Sequence, residues 1–436
     1  MNRLDTYFHI TQRESTLPRE IRGGFTTFFS IAYLTVIIPA FLSRTGMDAG
    51  AVTAATCLIA GISSLAMGLI AKLPFVLAPG IGFSTMFTLT LCEHYGYTWQ
   101  QALALVFLSG ILFLVFTLTP LRARIIDAIP MPLRFSLSAG VGLMITLQAL
   151  VNSGLITADN NLLDMGAIIS PGPLLTLFGI FLTAALLLRK VPGGLMIGMA
   201  VVLLLGIPLG ITVLPEQFMA LPHLSATAFK LDFGGLLSQG VIPLISSLIT
   251  LTLCDCFDTV GNLLGVGSDA GLTDSTGELP RQKAAMAVDA ASTCVGALLG
   301  VSTVTTLAES ATGIREGART GLSAAVTGLL FLLFLPFTPL LANLSGPASV
   351  AALVISGMTM MSGITQIQWK HVEVSLPCFL IIVCMPFTFS ITTGLALGVI
   401  SYLVIMVCRK RAAMVDPVLY GLSGLFALMF LLGAVV

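Results

Sequence analysis

From Phe25 to Leu42 the chain carries no charged side chain, and apolar runs of this kind return at intervals toward its C-terminal end. About 20 apolar residues in helical form match the hydrocarbon width of a bilayer. Inside that layer every backbone N–H and C=O must be paired within the protein, which leaves helices or closed barrels. A barrel would show alternating segments of about 10 residues, whereas these runs are continuous. Of 436 residues, 56% are hydrophobic and 9% charged, against about 25% charged in soluble domains. Such a chain cannot clothe a soluble surface. The expected fold class is an all-α polytopic membrane protein, with the lipid bilayer as its surroundings. A net charge of zero gives no reason to expect nucleic acid as a partner.

Candidate spans are 24–43, 50–71, 99–119, 133–151, 171–188, 193–213, 238–264, 284–300, 320–341, 347–363, 373–389, 391–408 and 416–435. Two further segments, Leu73 to Cys92 and Val301 to Gly317, are too short or too broken for ordinary spans. Residues 1–23 are polar, with Arg3, Arg13, Arg19 and Arg22 and no apolar core of a cleavable signal. They are expected in the cytoplasm. Lys72, Arg122, Arg124, Arg134, Arg189, Lys190, Arg281, Lys283, Arg315, Arg319, Lys370 and Arg409-Lys410-Arg411 fall on that same side if each broken segment crosses the membrane. Lys230 and Arg44 are the exceptions. This gives fourteen crossings up to Cys408, with 416–436 as an extra C-terminal apolar segment.

The broken segments are the third and tenth elements. Two seven-segment repeats would place them at matching positions, and an odd number of spans makes the repeats inverted. Paired interrupted segments are a sequence pointer to a transporter's binding site. Pro79 removes a donor and fixes φ, so a half-helix should begin after Gly80. A second should begin near Thr306. The bland alternative is a proline kink in a packed helix.

The stretch from Leu251 to Gly267 carries Asp255, Asp258 and Asn262 at i, i+3 and i+7, on one helical face. A carboxylate at membrane depth costs about 2.5–3.5 kcal/mol on insertion scales, so the pair demands a polar cavity, a partner or a proton. Two close carboxylates resist ionising together, which suits a proton-coupled carrier. Asp289, one helix on, reads more readily as a helix-packing partner. Glu309 lies one turn into the expected second half-helix. With backbone donors from two helix ends, it offers donors and acceptors to the edge of one flat ring, which describes a nucleobase better than an ion. The eight cysteines lie mostly in apolar runs and read as packed thiols. The four histidines are scattered at ends and loops. No metal site, cofactor motif or enzyme motif is visible.

The stretches from Asp258 (D-T-V-G-N-L-L-G-V), from Ser302 (S-T-V-T-T-L-A-E-S-A-T-G-I-R-E-G-A-R-T-G-L), from Gly24 (G-F-T-T-F-F-S-I-A-Y) and from Leu77 (L-A-P-G-I-G) resemble the AzgA-like purine permeases. So do the loop A-G-L-T-D…G-E-L-P-R from Ala270, S-A-G-V-G-L from Ser138 and M-P-F-T-F-S-I-T-T-G-L-A-L-G from Met385. That family belongs to the nucleobase–cation symporter superfamily, and the resemblance covers about residue 20 to the end. It implies a core domain of segments 1–4 and 8–11 (24–120 and 238–342) and a gate domain of segments 5–7 and 12–14 (133–214 and 347–408). It also implies import of hypoxanthine, guanine or adenine by proton symport across the inner membrane, often as a homodimer. By motif, Glu309 matches the purine-binding glutamate of the tenth segment, Asp258 the acid before T-V-G, and Asp255 the acid three residues earlier. Phe83, Ser84 and Thr306 join Glu309 and Asp258 as expected substrate contacts, and Asp258 and Asp255 are the expected proton-coupling pair. The chain departs from the family at Ser84, where Asn is usual, and at Ile38-Pro39, where Asn-Pro is usual. Other readings are a carrier of xanthine, urate or uracil, or an intramembrane enzyme or receptor.

Overall fold

The computed structural model describes residues 3–119, 130–159, 162–189, 191, 193–212, 219, 223–273, 279–339 and 346–431. The far ends of the spans drawn to 213, 341 and 435, and the basic residues Arg122, Arg124 and Lys190, lie outside them.

The elements in chain order are α1 (Arg3–Phe8), α2 (Leu17–Ile31), α3 (Leu34–Leu42), α4 (Ala49–Ala66), β1 (Leu77–Pro79), α5 (Ile81–Thr85), α6 (Trp99–Leu118), α7 (Met131–Asn152), β2 (Ile156–Asp159), β3 (Leu162–Met165), α8 (Pro171–Leu188) and α9 (Gly194–Gly206). There follow α10 (Val241–Asp269), α11 (Gln282–Leu299), β4 (Val304–Thr306), α12 (Ser310–Arg315), α13 (Gly321–Phe334), α14 (Pro347–Met360), α15 (Val372–Thr388), α16 (Ile391–Cys408) and α17 (Pro417–Leu431). Among the described residues, eight helices are long and apolar enough to cross a membrane. The protein is an all-helical membrane protein whose strands are three or four residues long.

Local chemistry explains several helix starts. Thr98 and Gln101 form a reciprocal capping box at α6, and Asp48 accepts from the Ala51 N–H at α4. The Ser390 hydroxyl caps α16 through the Thr393 N–H. At the end of α11, Gly300 takes φ +95°, and a Cβ there would run into Thr227.

Packing divides the helices into two groups. In one, α6 lies against α10 and α11, α4 against α3 and α13, and α2 against α12 and α13. In the other, α7 lies against α14 and α15, α8 against α9 and α14, and α15 against α16. Small residues set the closest approaches, as expected where lipid tails leave packing as the driving force. A Cβ on Gly328 would lie 2.6 Å from the Gly61 carbonyl oxygen, and farther along the same seam Gly321 of α13 faces Gly68, in the wider helical stretch Met67–Ala71 that continues α4. In the second group, a Cβ on Gly142 would lie 2.6 Å from the Gly357 oxygen and one on Gly357 2.5 Å from the Gly142 oxygen.

The polar N-terminal stretch is more than a solvated tail. Tyr7 donates to the Leu69 carbonyl, Arg13 to the carbonyls of Lys72 and Arg319, and Ser15 to that of Gly317. Glu20 is fully buried and accepts from the backbone N–H groups of Arg319, at 2.8 Å, and Thr320. Its partners are loop amides that need an acceptor. The helix α2 begins at Leu17, after an extended Thr16 and with Pro18 in its first turn, earlier than the apolar run suggests. This strap ties down the loops beside both broken segments. The antiparallel pair β2–β3, in the loop after α7, has no counterpart in the sequence reading.

Candidate functional site

The two broken segments meet as a two-stranded antiparallel ladder, with Leu77 opposite Thr306, Ala78 opposite Thr305 and Pro79 opposite Val304. Each strand is the other's sole partner in that sheet, as backbone at membrane depth requires. The Gly80 N–H extends the ladder to the Thr303 carbonyl, and the Leu307 N–H extends it to that of Val76. After Gly80 the chain turns into α5, which runs on as a wider π-type helix over Met86–His94. After Leu307 it turns into α12.

That last bond corrects one expectation. The second half-helix does not start near Thr306, because residues 304–307 are committed to β1. It starts at Ser310, so Glu309 sits immediately before it rather than one turn inside. Gly313 seats α12 against α2: a Cβ there would lie 2.5 Å from the Gly23 carbonyl oxygen.

Glu309 is half-buried, and its Oε1 accepts a 3.0 Å bond from the Tyr33 hydroxyl. The same hydroxyl lies 3.1 Å from Ser356 Oγ on α14. Tyr33 stands in the short break between α2 and α3 and is 1% exposed. It therefore touches the glutamate in one helix group and a serine in the other. Sequence reasoning missed it, because one more aromatic in an apolar run that already holds Phe25, Phe28 and Phe29 reads as packing. Its position at the end of the Gly24–Tyr33 stretch, six residues before Pro39, was the available signal.

Asp255, Asp258 and Asn262 all turn one face of α10 toward α11 and β4. Asp258 is half-buried and accepts from Thr305 Oγ1 at 3.0 Å. The Asn262 amide donates to the Thr306 carbonyl at 2.7 Å. Asp255 is sealed, at 1% exposure, with Thr293 Oγ1 3.2 Å from its Oδ2. Thr293 also points at the Val304 carbonyl at 2.8 Å. Asp289 is fully buried, and its Oδ2 accepts from both Thr259 and Thr306 at 2.8 Å. Asp289 thus joins three elements, α10, α11 and β4, and is tied to the site more closely than a packing partner would be.

The remaining expected contacts are placed as follows. Ser84 is fully buried on α5, with its hydroxyl 2.6 Å from Ser302 Oγ. The Thr306 hydroxyl is turned to Asp289. Phe83 is 8% exposed and lies against Gly80, where a Cβ would come within 2.7 Å of its ring. Of the four acids at the site, Glu309 and Asp258 are half-buried, whereas Asp255 and Asp289 are sealed. Arg134, near the start of α7, stacks 5.1 Å over the ring of Phe257, the residue before Asp258. Half-buried acceptors beside backbone turns can take N–H donors from a ligand, while the acids behind them can hold protons.

The family profile described as "Permease family" (Xan_ur_permease) matches residues 18–397. Among similar proteins, "Putative permease MJ0326" of Methanocaldococcus jannaschii is 40% identical over 99% of this chain and 98% of its own length. "Guanine/hypoxanthine permease PbuG" of Bacillus subtilis is 38% identical over 98% of this chain and 99% of its own. "Adenine permease AdeP" of Escherichia coli is 36% identical over 98% and 95%. The transmembrane domain of the cyanobacterial bicarbonate transporter BicA shares the fold, with a TM-score of 0.65 at 14% identity over 88% of this chain and 97% of that one. Ladder, half-helices and matching profile converge: the chain is a membrane transporter, not an enzyme, and belongs to the Xan_ur_permease family of permeases.

Proposed function

We propose that this permease imports purine nucleobases (guanine, hypoxanthine or adenine) by proton symport across the cytoplasmic membrane, with its N-terminus inside. The observation that carries the reading is the pair of half-buried acids beside the β1–β4 ladder, Glu309 just beyond its Leu307 end and Asp258 against Thr305 at its middle. Relatives matched over nearly their whole length are named as guanine/hypoxanthine and adenine permeases. Glu309 takes ring N–H donors of the base, and Asp258 takes up the driving proton. Asp255 joins Asp258 as the proton-coupling pair on α10, and Ser84, Phe83 and Thr306 shape the site around the ladder.

The two packing groups are read as core and gate. Segments 1–4 and 8–11 form the core, which carries the ladder, and segments 5–7 and 12–14 form the gate, in two inverted repeats of seven. Asp258 crosses loaded with its proton, because a neutral acid costs far less to move past an apolar wall than its anion.

The test uses purified protein in liposomes with labelled hypoxanthine, guanine and adenine, with and without an inside-alkaline pH gradient. Gradient-driven accumulation, blocked by unlabelled purines and little affected by uracil, is the expected result. Accumulation that ignores the gradient would remove the proton, and competition by uracil or urate alone would change the substrate.

A further inference from the structure

Behind the half-buried Asp258, four side chains make an unbroken row of oxygens. Asp258 Oδ2 lies 3.0 Å from Thr305 Oγ1, Thr305 Oγ1 lies 3.2 Å from Thr259 Oγ1, and Thr259 Oγ1 lies 2.8 Å from Asp289 Oδ2. Thr259 and Asp289 are fully buried, and Thr305 is 2% exposed.

The protons in this row can be counted. Each threonine hydroxyl owns one proton. With both carboxylates ionised, Thr305 gives its proton to Asp258 and Thr259 gives its own to Asp289. The middle contact is then two oxygens with no proton between them. One added proton fills all three links, in either of two orders. Asp258 donates to Thr305, Thr305 to Thr259 and Thr259 to an ionised Asp289, or the whole sequence runs in reverse. The far oxygen of Asp289, Oδ1, is buried with no hydrogen-bond partner. A full negative charge there is costly, and a proton removes the cost.

We propose that Asp258 and Asp289 share one proton through the hydroxyls of Thr305 and Thr259, so that Asp289 is an internal store for the proton Asp258 exchanges with the substrate cavity. In the transfer the Asp258 O–H bond breaks as a Thr305 O–H forms. The original Thr305 proton passes to Thr259, and that of Thr259 passes to Asp289. One proton moves, both threonines end neutral, and the negative charge passes from Asp289 to Asp258. Thr306, donating to the same Asp289 oxygen, steadies the charge when the proton is away. The other titratable groups beside the row are Asp255 and Cys254 on α10 and Glu309 before α12; Cys294 on α11 turns its thiol to the Phe107 carbonyl on α6. The helices α4, α6, α16 and α17 and the strand β1 carry no charged residue.

This inference rests on the proton-symport reading, and the experiment separates the two. Wild-type protein in liposomes is given labelled hypoxanthine under an inside-alkaline gradient; no gradient-driven accumulation would sink the coupling itself. If the wild type accumulates, Thr259→Val removes one of the two linking hydroxyls and keeps the shape. Accumulation should then fall to the level seen without a gradient, exchange of hypoxanthine at equal pH should persist, and Thr259→Ser should restore accumulation. Wild-type accumulation in Thr259→Val overturns the proposal. A second measurement does not depend on transport: the infrared stretch of the titrating carboxylic acid. It should shift or vanish in Asp258→Asn and in Asp289→Asn alike. A wild-type band unchanged in Asp289→Asn overturns the shared proton.

Discussion

Glu309 and Tyr33 show how a site can be half visible in a sequence. A glutamate in an apolar stretch announces itself, because its burial is expensive. The tyrosine that holds it does not, since its ring satisfies the apolar pattern and only its hydroxyl, 276 residues away in sequence, does the work. Asp289 reads as a packing partner for the same reason: its two hydrogen-bond partners, Thr259 and Thr306, come from elements whose arrangement no local period reveals. Glu309→Gln keeps the size and loses a charged acceptor, whose hydrogen bond contributes about 1.5–3 kcal/mol. Purine affinity should fall roughly 10- to 150-fold, measured by binding to the folded protein; unchanged affinity would take Glu309 out of the site. Tyr33→Phe removes a neutral donor, worth about 0.5–1.5 kcal/mol. It should weaken binding roughly 2- to 10-fold, and Ser356→Ala should do less, because the tyrosine then keeps its bond to Glu309.

At the scale of elements, the apolar runs are legible in the sequence, and the caps and the joints between elements are not. The strands β1 and β4 are three residues each, too short to show alternation, so the sequence suggested two helix starts where the chain first makes a ladder. Glycine seams were visible only as small residues; which seam each belonged to required the fold. Gly328→Val drives new atoms toward the Gly61 carbonyl and Leu65. Overpacking of this kind costs about 1–3 kcal/mol, and the thermal unfolding midpoint in detergent should drop accordingly. An unchanged midpoint would mean that α4 and α13 part easily. In the N-terminal strap, the Thr11 N–H and hydroxyl hold the Asp5 carboxyl below its usual range. A depressed acid stabilises its turn above its unfolded pKa and loses that contribution as pH falls through the folded one. Protection of the Thr11 amide from exchange should therefore persist from neutral pH through the ordinary carboxylate range and disappear only below it.

Over the whole molecule, composition and the one-sided distribution of Lys and Arg settled the class and suggested the orientation. A division into two groups of segments enters the sequence reading only through the family resemblance, since packing between distant halves leaves no local pattern. Orientation has a direct check in the native cysteines. Cys408 is the exposed one among the described cysteines, and it adjoins the basic cluster Arg409-Lys410-Arg411. A membrane-impermeant maleimide should label it in inside-out vesicles and leave it untouched in intact cells. Labelling from outside would invert the topology.

The pairing of the broken segments also sets a timetable for synthesis. The Val76 N–H donates to Ser310, 234 residues further along, and the ladder beside it spans a similar interval. At about 5–20 residues per second, Val76 leaves the ribosome roughly 10–50 seconds before its partner exists. Through that wait Ser63 and Ser64 of α4 can serve the Leu77 N–H and carbonyl, but the Val76 and Gly80 groups that bond across the ladder stay unmatched, a state lipid does not tolerate. The nascent first half must be sheltered, by the insertion machinery or by its own neighbouring helices, until the second half arrives to close the ladder.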